Sequence, residues 1–142
     1  MEYTIHGPFE IKRQGKTVNH LATELKKFWS EIDEQFEGLS FACGCYLFAL
    51  KAGKGSTPWY VGKAEKQSFS KEVFNSHKVQ YYNDIIANQK GKPIIFILAK
   101  RTRKKKFVKP SKNGHSDIDF LETLLIGAAL GKNRDLLNKK KI

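Results

Sequence analysis

The chain has 142 residues, of which 40% are hydrophobic and 12% aromatic, a composition typical of one folded domain and not of a disordered segment. No run of about 18 apolar residues occurs, so the composition excludes a transmembrane helix. The N-terminus lacks the basic-then-apolar order of a secretory signal, and we therefore expect an intracellular, cytoplasmic protein.

The net charge of +12 is unevenly distributed along the chain. Residues 1–40 carry five basic and seven acidic side chains, whereas residues 41–142 carry twenty-one basic and seven acidic ones. A basic face of this kind attracts a polyanion, and nucleic acid is the commonest one. The alternatives are an acidic membrane or protein surface, or a soluble surface with a positive bias and no specific partner.

Residues 1–40 predict a short extended segment followed by an amphipathic helix. Weak alternation with turn residues indicates extended pieces over 3–18. Apolar residues then recur at three- and four-residue steps and predict a helix over 19–37, which Gly38 closes as a C-cap. We expect these residues to form an N-terminal helical extension beside a main domain at 41–142.

The first part of the main domain predicts a β-hairpin. The apolar, aromatic-rich run FACGCYLFAL at 41–50 is typical of a buried strand. The Gly- and Lys-containing stretch 51–58 indicates a turn, and 59–62 resumes as a second strand.

A helix is expected over 68–90, capped by Ser68 or Ser70, followed by a β-branched strand over 93–101. After a loop at 107–115, a capping-box-like start at 116–119 predicts an apolar helix over 117–131. This order of elements predicts an α+β fold with a small, mainly antiparallel sheet flanked by helices.

Two features of the main domain suggest chemistry. Glu122 is the only ionisable residue between Asp119 and Lys132 in an otherwise apolar helix, so we expect its carboxylate to meet a Lys, an Arg or a metal ion. Strand alternation also makes Tyr46 and Tyr60 neighbours across the hairpin. The alternatives are a glutamate at the rim of the core and two tyrosines that only pack.

The two cysteines, Cys43 and Cys45, share the opposite face of the first hairpin strand. A C-x-C pair with no further cysteine is a poor zinc site and rarely forms a disulfide. We therefore expect two buried free thiols.

At this point the sequence resembles the GIY-YIG nuclease family. The two tripeptides are Gly44-Cys45-Tyr46 and Tyr60-Val61-Gly62, the second followed by Lys63-Ala64. The segment 121–126 (LETLLI) resembles the metal-binding helix of the family, and Asn138 resembles its terminal asparagine. The resemblance covers about residues 41–140.

The resemblance implies an endonuclease that hydrolyses phosphodiester bonds with one Mg²⁺ or Mn²⁺ ion; we expect DNA as the substrate, and the sequence leaves RNA open as the alternative. Tyr46 would orient or deprotonate the attacking water, Tyr60 would lie against the scissile phosphate, and Glu122 would hold the metal. Lys63 and Asn138 would complete the site. Because a phenol has a pKa near 10, Tyr46 needs cations nearby to act as a base, and Lys63 and the metal are the expected source.

One family feature is absent from the sequence. The family usually carries a phosphate-binding arginine on the helix after the second tripeptide, but 68–90 contains none, and Glu72 falls near the aligned position. Lys63, Lys71, Lys78 or His77 would have to supply the charge, and a lysine offers a point charge without the bidentate fork. His77 is otherwise a general base or an ordinary surface residue.

The basic run KRTRKKK at 100–106 predicts contacts with phosphates, which give affinity without sequence preference. The expected contact residues are Lys100, Arg101, Arg103, Lys104 and Lys105, and Lys139 to Lys141 would extend this surface. The alternative is a solvated loop.

Two other functions compete with the nuclease. One is a catalytically silent nucleic-acid-binding module of the same fold. The other is an interaction protein whose helix 19–37 docks a partner.

Overall fold

A computed structural model describes residues 2–138. The strands are β1 (Glu2–Glu10), β2 (Arg13–Gln14), β3 (Thr17–Val18), β4 (Gly44–Ala52), β5 (Gly55–Ala64) and β6 (Lys92–Arg101). The helices are α1 (Ala22–Gln35), α2 (Phe69–Glu72), α3 (Ser76–Asn88) and α4 (Ser116–Lys132), with a 3-10 turn at Leu39–Phe41.

The predicted α+β fold with an antiparallel sheet is confirmed. Four strands form one sheet in the order β1-β6-β4-β5, and every neighbouring pair is antiparallel. The β4–β5 hairpin supplies two of them, and β5 forms one edge of the sheet.

The predicted N-terminal helical extension is not seen, because the described chain starts with strand β1, although the helix predicted over 19–37 is present as α1. β1 pairs with β6 from Glu2 opposite Arg101 to Glu10 opposite Ile94, and so satisfies backbone groups that an exposed β6 edge would leave unpaired. Helix α1 buries Trp29 and Ile32 in the same core as β4 and α3. Its apolar face is therefore occupied within the chain.

The single helix expected over 68–90 is two helices, α2 and α3. The break lies at Asn75, which adopts an extended backbone, and its side chain accepts a hydrogen bond from the backbone N–H of Lys78 at 3.1 Å. An asparagine in this position satisfies an N–H group that the first turn of a helix leaves without a partner. At α4 the expected Ser116 cap is also wrong: His115 is the N-cap, and no side chain caps the helix.

The two faces of the sheet carry different helices. The face with Tyr46 and Phe48 packs in the core that includes residues of α1, α2 and α3. The opposite face, with Cys45 and Val61, packs against α4. Residues that alternate along β4 and β5 therefore meet different surroundings.

Both cysteines are free and buried, as predicted. Burial raises the pKa of the Cys43 thiol to about 11, and burial also raises the pKa of Cys45. Both therefore remain thiols at neutral pH and are poor nucleophiles.

Lys100 lies inside a polar network under β1. Its ammonium donates to Asp117 at 2.7 Å and lies 3.1 Å from His115 Nδ1, while Tyr3 donates to the other Asp117 oxygen at 2.6 Å. Only 4% of the Lys100 side chain is exposed. The sequence predicts a phosphate contact for Lys100, but this lysine is not at the surface, because strand alternation turns it toward α4.

No helix within residues 2–138 has the length and apolar character needed to cross a membrane.

We expect Asp117→Asn to lower the free energy of unfolding by about 3 kcal/mol, because it leaves a buried ammonium without its anion. Burial opposes ionisation of Asp117, but hydrogen bonds from Lys100 and Tyr3 outweigh it and lower the pKa of the carboxyl below its ordinary 3.8. The ionised Asp117 carboxylate therefore contributes its full stabilisation of the fold above about pH 3.8, and this stabilisation is lost as the pH falls through the lowered pKa that Asp117 has in the folded protein.

Denaturant unfolding at neutral pH measures the change. The control is Asp119→Asn, which removes a half-exposed partner of Lys63 and should cost under about 1 kcal/mol. Equal losses for the two variants would contradict the role of the buried network.

Candidate active site on the β4–β5 hairpin

The register of the hairpin places Tyr46 directly opposite Gly62. The ring of Tyr46 lies across this glycine, and a Cβ atom added at Gly62 would overlap the ring carbon Cζ and the hydroxyl oxygen. A side chain at position 62 and a tyrosine at position 46 are therefore incompatible in this packing. This explains why a glycine follows two residues after Tyr60.

The hydroxyl of Tyr46 is completely buried and makes no hydrogen bond within the described part of the chain, although the hydroxyl of Tyr82 lies near enough to interact with it. Burial raises the pKa of Tyr46 well above 10.0, and the nearby Tyr82, Tyr60, Glu72 and Glu122 raise it further. In this state the phenol keeps its proton, unlike the cation-activated base that the resemblance implies.

Tyr60 is buried beside Tyr46, with ring centroids 6.4 Å apart. Its hydroxyl accepts a hydrogen bond from the ammonium of Lys78 at 2.8 Å. The same ammonium lies 5.2 Å from the Tyr60 ring centroid and 5.8 Å from that of Tyr81. Lys78 belongs to the first turn of α3, and its backbone N–H is bonded to the Asn75 side chain that caps this helix. The cap therefore helps to fix the position from which the Lys78 ammonium reaches the Tyr60 hydroxyl.

Sequence reasoning missed the aromatic surroundings of this pair. The ring of Tyr81 lies 5.3 Å from Tyr60, and Tyr82 stacks on Phe48 at 4.4 Å. The Tyr82 hydroxyl donates to the backbone carbonyl of Val73 at 2.7 Å. The available signal is spacing, since the two tyrosines follow Lys78 by three and four residues and therefore share its side of the helix.

Lys63 faces away from the tyrosines. It is paired in register with Cys45, on the α4 side of the sheet. Its ammonium pairs with Glu65 at 3.1 Å and with Asp119. Burial opposes its charge, but the hydrogen bonds to Asp119 and Glu65 outweigh burial and raise the pKa of Lys63. The expectation that Lys63 activates Tyr46 is therefore not met.

Glu122 is half-buried on α4, which packs against β5. Burial is the main cause of the raised pKa values of Cys45 and Tyr46, and the negative charge of Glu122 raises both further. Glu122 is therefore close enough to act on side chains at both faces of the hairpin. Of the other predicted catalytic residues, Lys63 and Asn138 have partners of their own and His77 is exposed on the first turn of α3.

Whether the candidate site can bind a divalent metal ion depends on the carboxylate of Glu122. Across residues 2–138 no group of three or more His, Cys, Asp or Glu side chains forms a metal cage. Mg²⁺ usually retains several waters and binds one or two carboxylates together with substrate phosphates. The described residues therefore form no preformed protein cage, and an ion held by Glu122 would have to take its other ligands from water or from a bound phosphate.

Asn138 holds the edge of the sheet. Its side-chain oxygen accepts from the Val61 backbone N–H and its amide donates to the Val61 carbonyl, both at 2.7 Å. The residue is 1% exposed, so one side chain replaces the missing neighbour of the β5 edge strand. The structure thus shows a positioning role for this predicted site residue.

The remaining predicted contacts are distributed over the surface. Lys71 is exposed on α2, and Arg103, Lys104 and Lys105 are exposed in the turn after β6. Arg101 is half-buried, and its guanidinium carbon lies 3.8 Å from the centroid of the Phe107 ring. Residues 139–141, which the sequence adds to the basic surface, lie outside the described residues.

Comparison with known proteins yields no match to a family model, to a curated protein or to a solved structure.

We expect Tyr46→Phe to keep or raise the free energy of unfolding, by up to about 1 kcal/mol, because it removes a buried hydroxyl that has no partner. Tyr82→Phe is the matched control, since it removes a hydroxyl that is bonded to Val73 and should cost about 1 kcal/mol. Thermal and urea unfolding of the two variants provide the measurement. A loss at Tyr46 equal to that at Tyr82 would contradict the assignment of an unpartnered hydroxyl.

Proposed function

We propose that this protein is a divalent-metal-dependent endonuclease of the GIY-YIG type that hydrolyses phosphodiester bonds in DNA. The observation that carries the proposal is the Tyr60–Lys78 hydrogen bond of 2.8 Å beside the buried Tyr46. Ordinary core packing does not require an ammonium on a tyrosine hydroxyl. A cation and a hydroxyl side by side can both donate hydrogen bonds to a phosphate.

In this proposal Lys78 takes the place of the missing arginine. Its ammonium is a mobile point charge at the end of a flexible side chain, and it polarises the Tyr60 hydroxyl as a hydrogen-bond donor. In the proposed complex the ammonium of Lys78 contacts the phosphate oxygens beside the Tyr60 hydroxyl, which is buried in the free protein. The two residues then bind and orient the scissile phosphate together.

Glu122 would hold Mg²⁺ or Mn²⁺, and the bound ion supplies charge stabilisation to the phosphate and the leaving oxygen. Tyr46 remains protonated and packs beside Tyr60 in the space that Gly62 leaves open. Its raised pKa favours this positioning role over proton abstraction.

A catalytically silent nucleic-acid-binding module is the second candidate. The burial of both tyrosines and the absence of arginine from α2 and α3 favour it. The same fold would then bind polyanions through its basic surface and leave the phosphodiester bond intact.

Nicking of supercoiled plasmid DNA separates the two candidates. With Mg²⁺ present, we expect the wild type to nick the plasmid and Glu122→Gln to be at least about 100-fold slower, because the metal loses its carboxylate. Glu34→Gln, at an exposed site on α1, is the control and should match the wild type. Equal rates for the wild type and Glu122→Gln, or no nicking by either, would refute the nuclease.

The role of Lys78 predicts a separate result. Lys78→Met should slow nicking by about 10- to 100-fold, and Lys78→Arg should restore much of the rate, because a guanidinium supplies the family's usual charge at this site. Single-turnover kinetics with saturating enzyme isolate this step from DNA affinity. Lys51→Met, at an exposed position on β4, controls for loss of positive charge. A slow but fully folded Lys78→Arg would contradict the phosphate role.

A further inference from the structure

A wide groove of about 1110 Å³ lies between the end of α1, the start of α2 and the segment that follows β6. It is separate from the Tyr46–Tyr60 pair, which does not line it. Within residues 2–138, six cationic side chains line this groove, which we call the basic groove: Lys66, Lys71, Arg101, Lys105, Lys106 and Lys109. Among the same residues, Glu37 is the only acidic one in the lining.

The charge of the basic groove is largely available to a ligand. Lys105 pairs with Glu2, but within the described part of the chain Lys66, Lys71, Lys106 and Lys109 have no ion pair, and all four are exposed. The groove therefore presents a concentrated positive field to solvent, which attracts a polyanion.

Phe41 adds an aromatic surface to the basic groove. Its side chain is 67% exposed, although Leu39 and Ser40 immediately before it are buried. Asp33 holds this turn by accepting from the Ser40 backbone N–H at 2.9 Å, and the Ala42 N–H bonds to the Leu39 carbonyl. A fixed turn thus presents a large apolar ring to solvent inside a cationic groove.

A second flat surface lines the same groove. The Arg101 guanidinium lies 3.8 Å from the centroid of the Phe107 ring. It donates to Thr4 Oγ1 at 2.9 Å and to the Lys105 carbonyl at 2.8 Å, which fix its plane. A guanidinium held over an aromatic ring at the wall of the groove is a candidate surface for stacking.

Cations alone would suit any polyanion, but flat surfaces among cations suit nucleobases. A base can stack on Phe41 only if it is not already stacked and paired, which a single strand allows and a regular duplex does not. Acidic peptides offer charge without planar rings. The combination of charge and stacking surfaces therefore selects one ligand class.

We propose that the basic groove binds single-stranded DNA, with lysines on the phosphates and bases stacked on Phe41 and on the Arg101–Phe107 pair. This assignment deepens the proposed function. It rests on that proposal only in taking nucleic acid as the ligand, and it does not depend on cleavage. It directs the nuclease toward single-stranded or locally unpaired DNA.

Fluorescence anisotropy tests the assignment with a labelled single strand of about 12 nucleotides, within the site size of such grooves, and with the matching duplex. EDTA is present, so that binding is measured without cleavage. We expect the wild type to prefer the single strand, and Phe41→Ala to weaken single-strand binding about tenfold with less than twofold change for the duplex.

The chain offers a matched control for each change. Phe120 is also 67% exposed but lies on α4 outside the groove, so Phe120→Ala should leave binding unchanged. Lys106→Glu should weaken binding of both DNA forms, whereas Lys54→Glu, in the β4–β5 turn, should have little effect. On a strand of abasic sites the effect of Phe41→Ala should disappear.

The proposal is overturned if Phe41→Ala binds the single strand within twofold of the wild type. It is also overturned if the wild type prefers the duplex, or if polyglutamate competes as well as unlabelled single strand. Failure of the nuclease is a separate outcome: Phe41-dependent binding without Glu122-dependent nicking removes the enzyme and keeps the groove. The reverse result removes the groove and keeps the enzyme.

Discussion

The packing of Tyr46 across Gly62 is the constraint on which the candidate site depends. The hairpin register sets these residues opposite each other, and the glycine leaves the space that the ring occupies. Tyr60 comes next to Tyr46 as a result, on the side of the sheet covered by α3. A residue with a side chain at position 62 would displace the ring and, with it, the surroundings of the Tyr60–Lys78 bond.

The protein divides its many cations between two roles. Lys63 and Lys100 are ion-paired with nearby carboxylates, and they tie α4 and the segment before it to the sheet. The lysines around α2 and after β6 are exposed and produce the external field of the basic groove. The net charge of +12 does not by itself reveal which lysines are ion-paired inside the protein and which are exposed in the basic groove.

Helix α2 connects the candidate site with the basic groove. Ser68 and Lys71 line the groove, while Glu72 contributes to the raised pKa of Tyr46. The carbonyl of Val73, at the end of the same helix, accepts from Tyr82. A strand bound in the groove would thus lie along the helix that borders the tyrosines, and this gives the proposed binding and cleavage sites a common structural element.

Local sequence patterns suffice to predict the α+β class, the β4–β5 hairpin and the proximity of Tyr46 and Tyr60, because two-residue alternation and turn residues act over short distances. Long-range packing, in contrast, makes β1 complete the sheet, turns Lys63 to Asp119 and Lys78 to Tyr60, and places Phe41 in the basic groove. These outcomes depend on which strand edges pair and which helix covers which face. Such contacts join residues distant in the chain, and no local pattern encodes them.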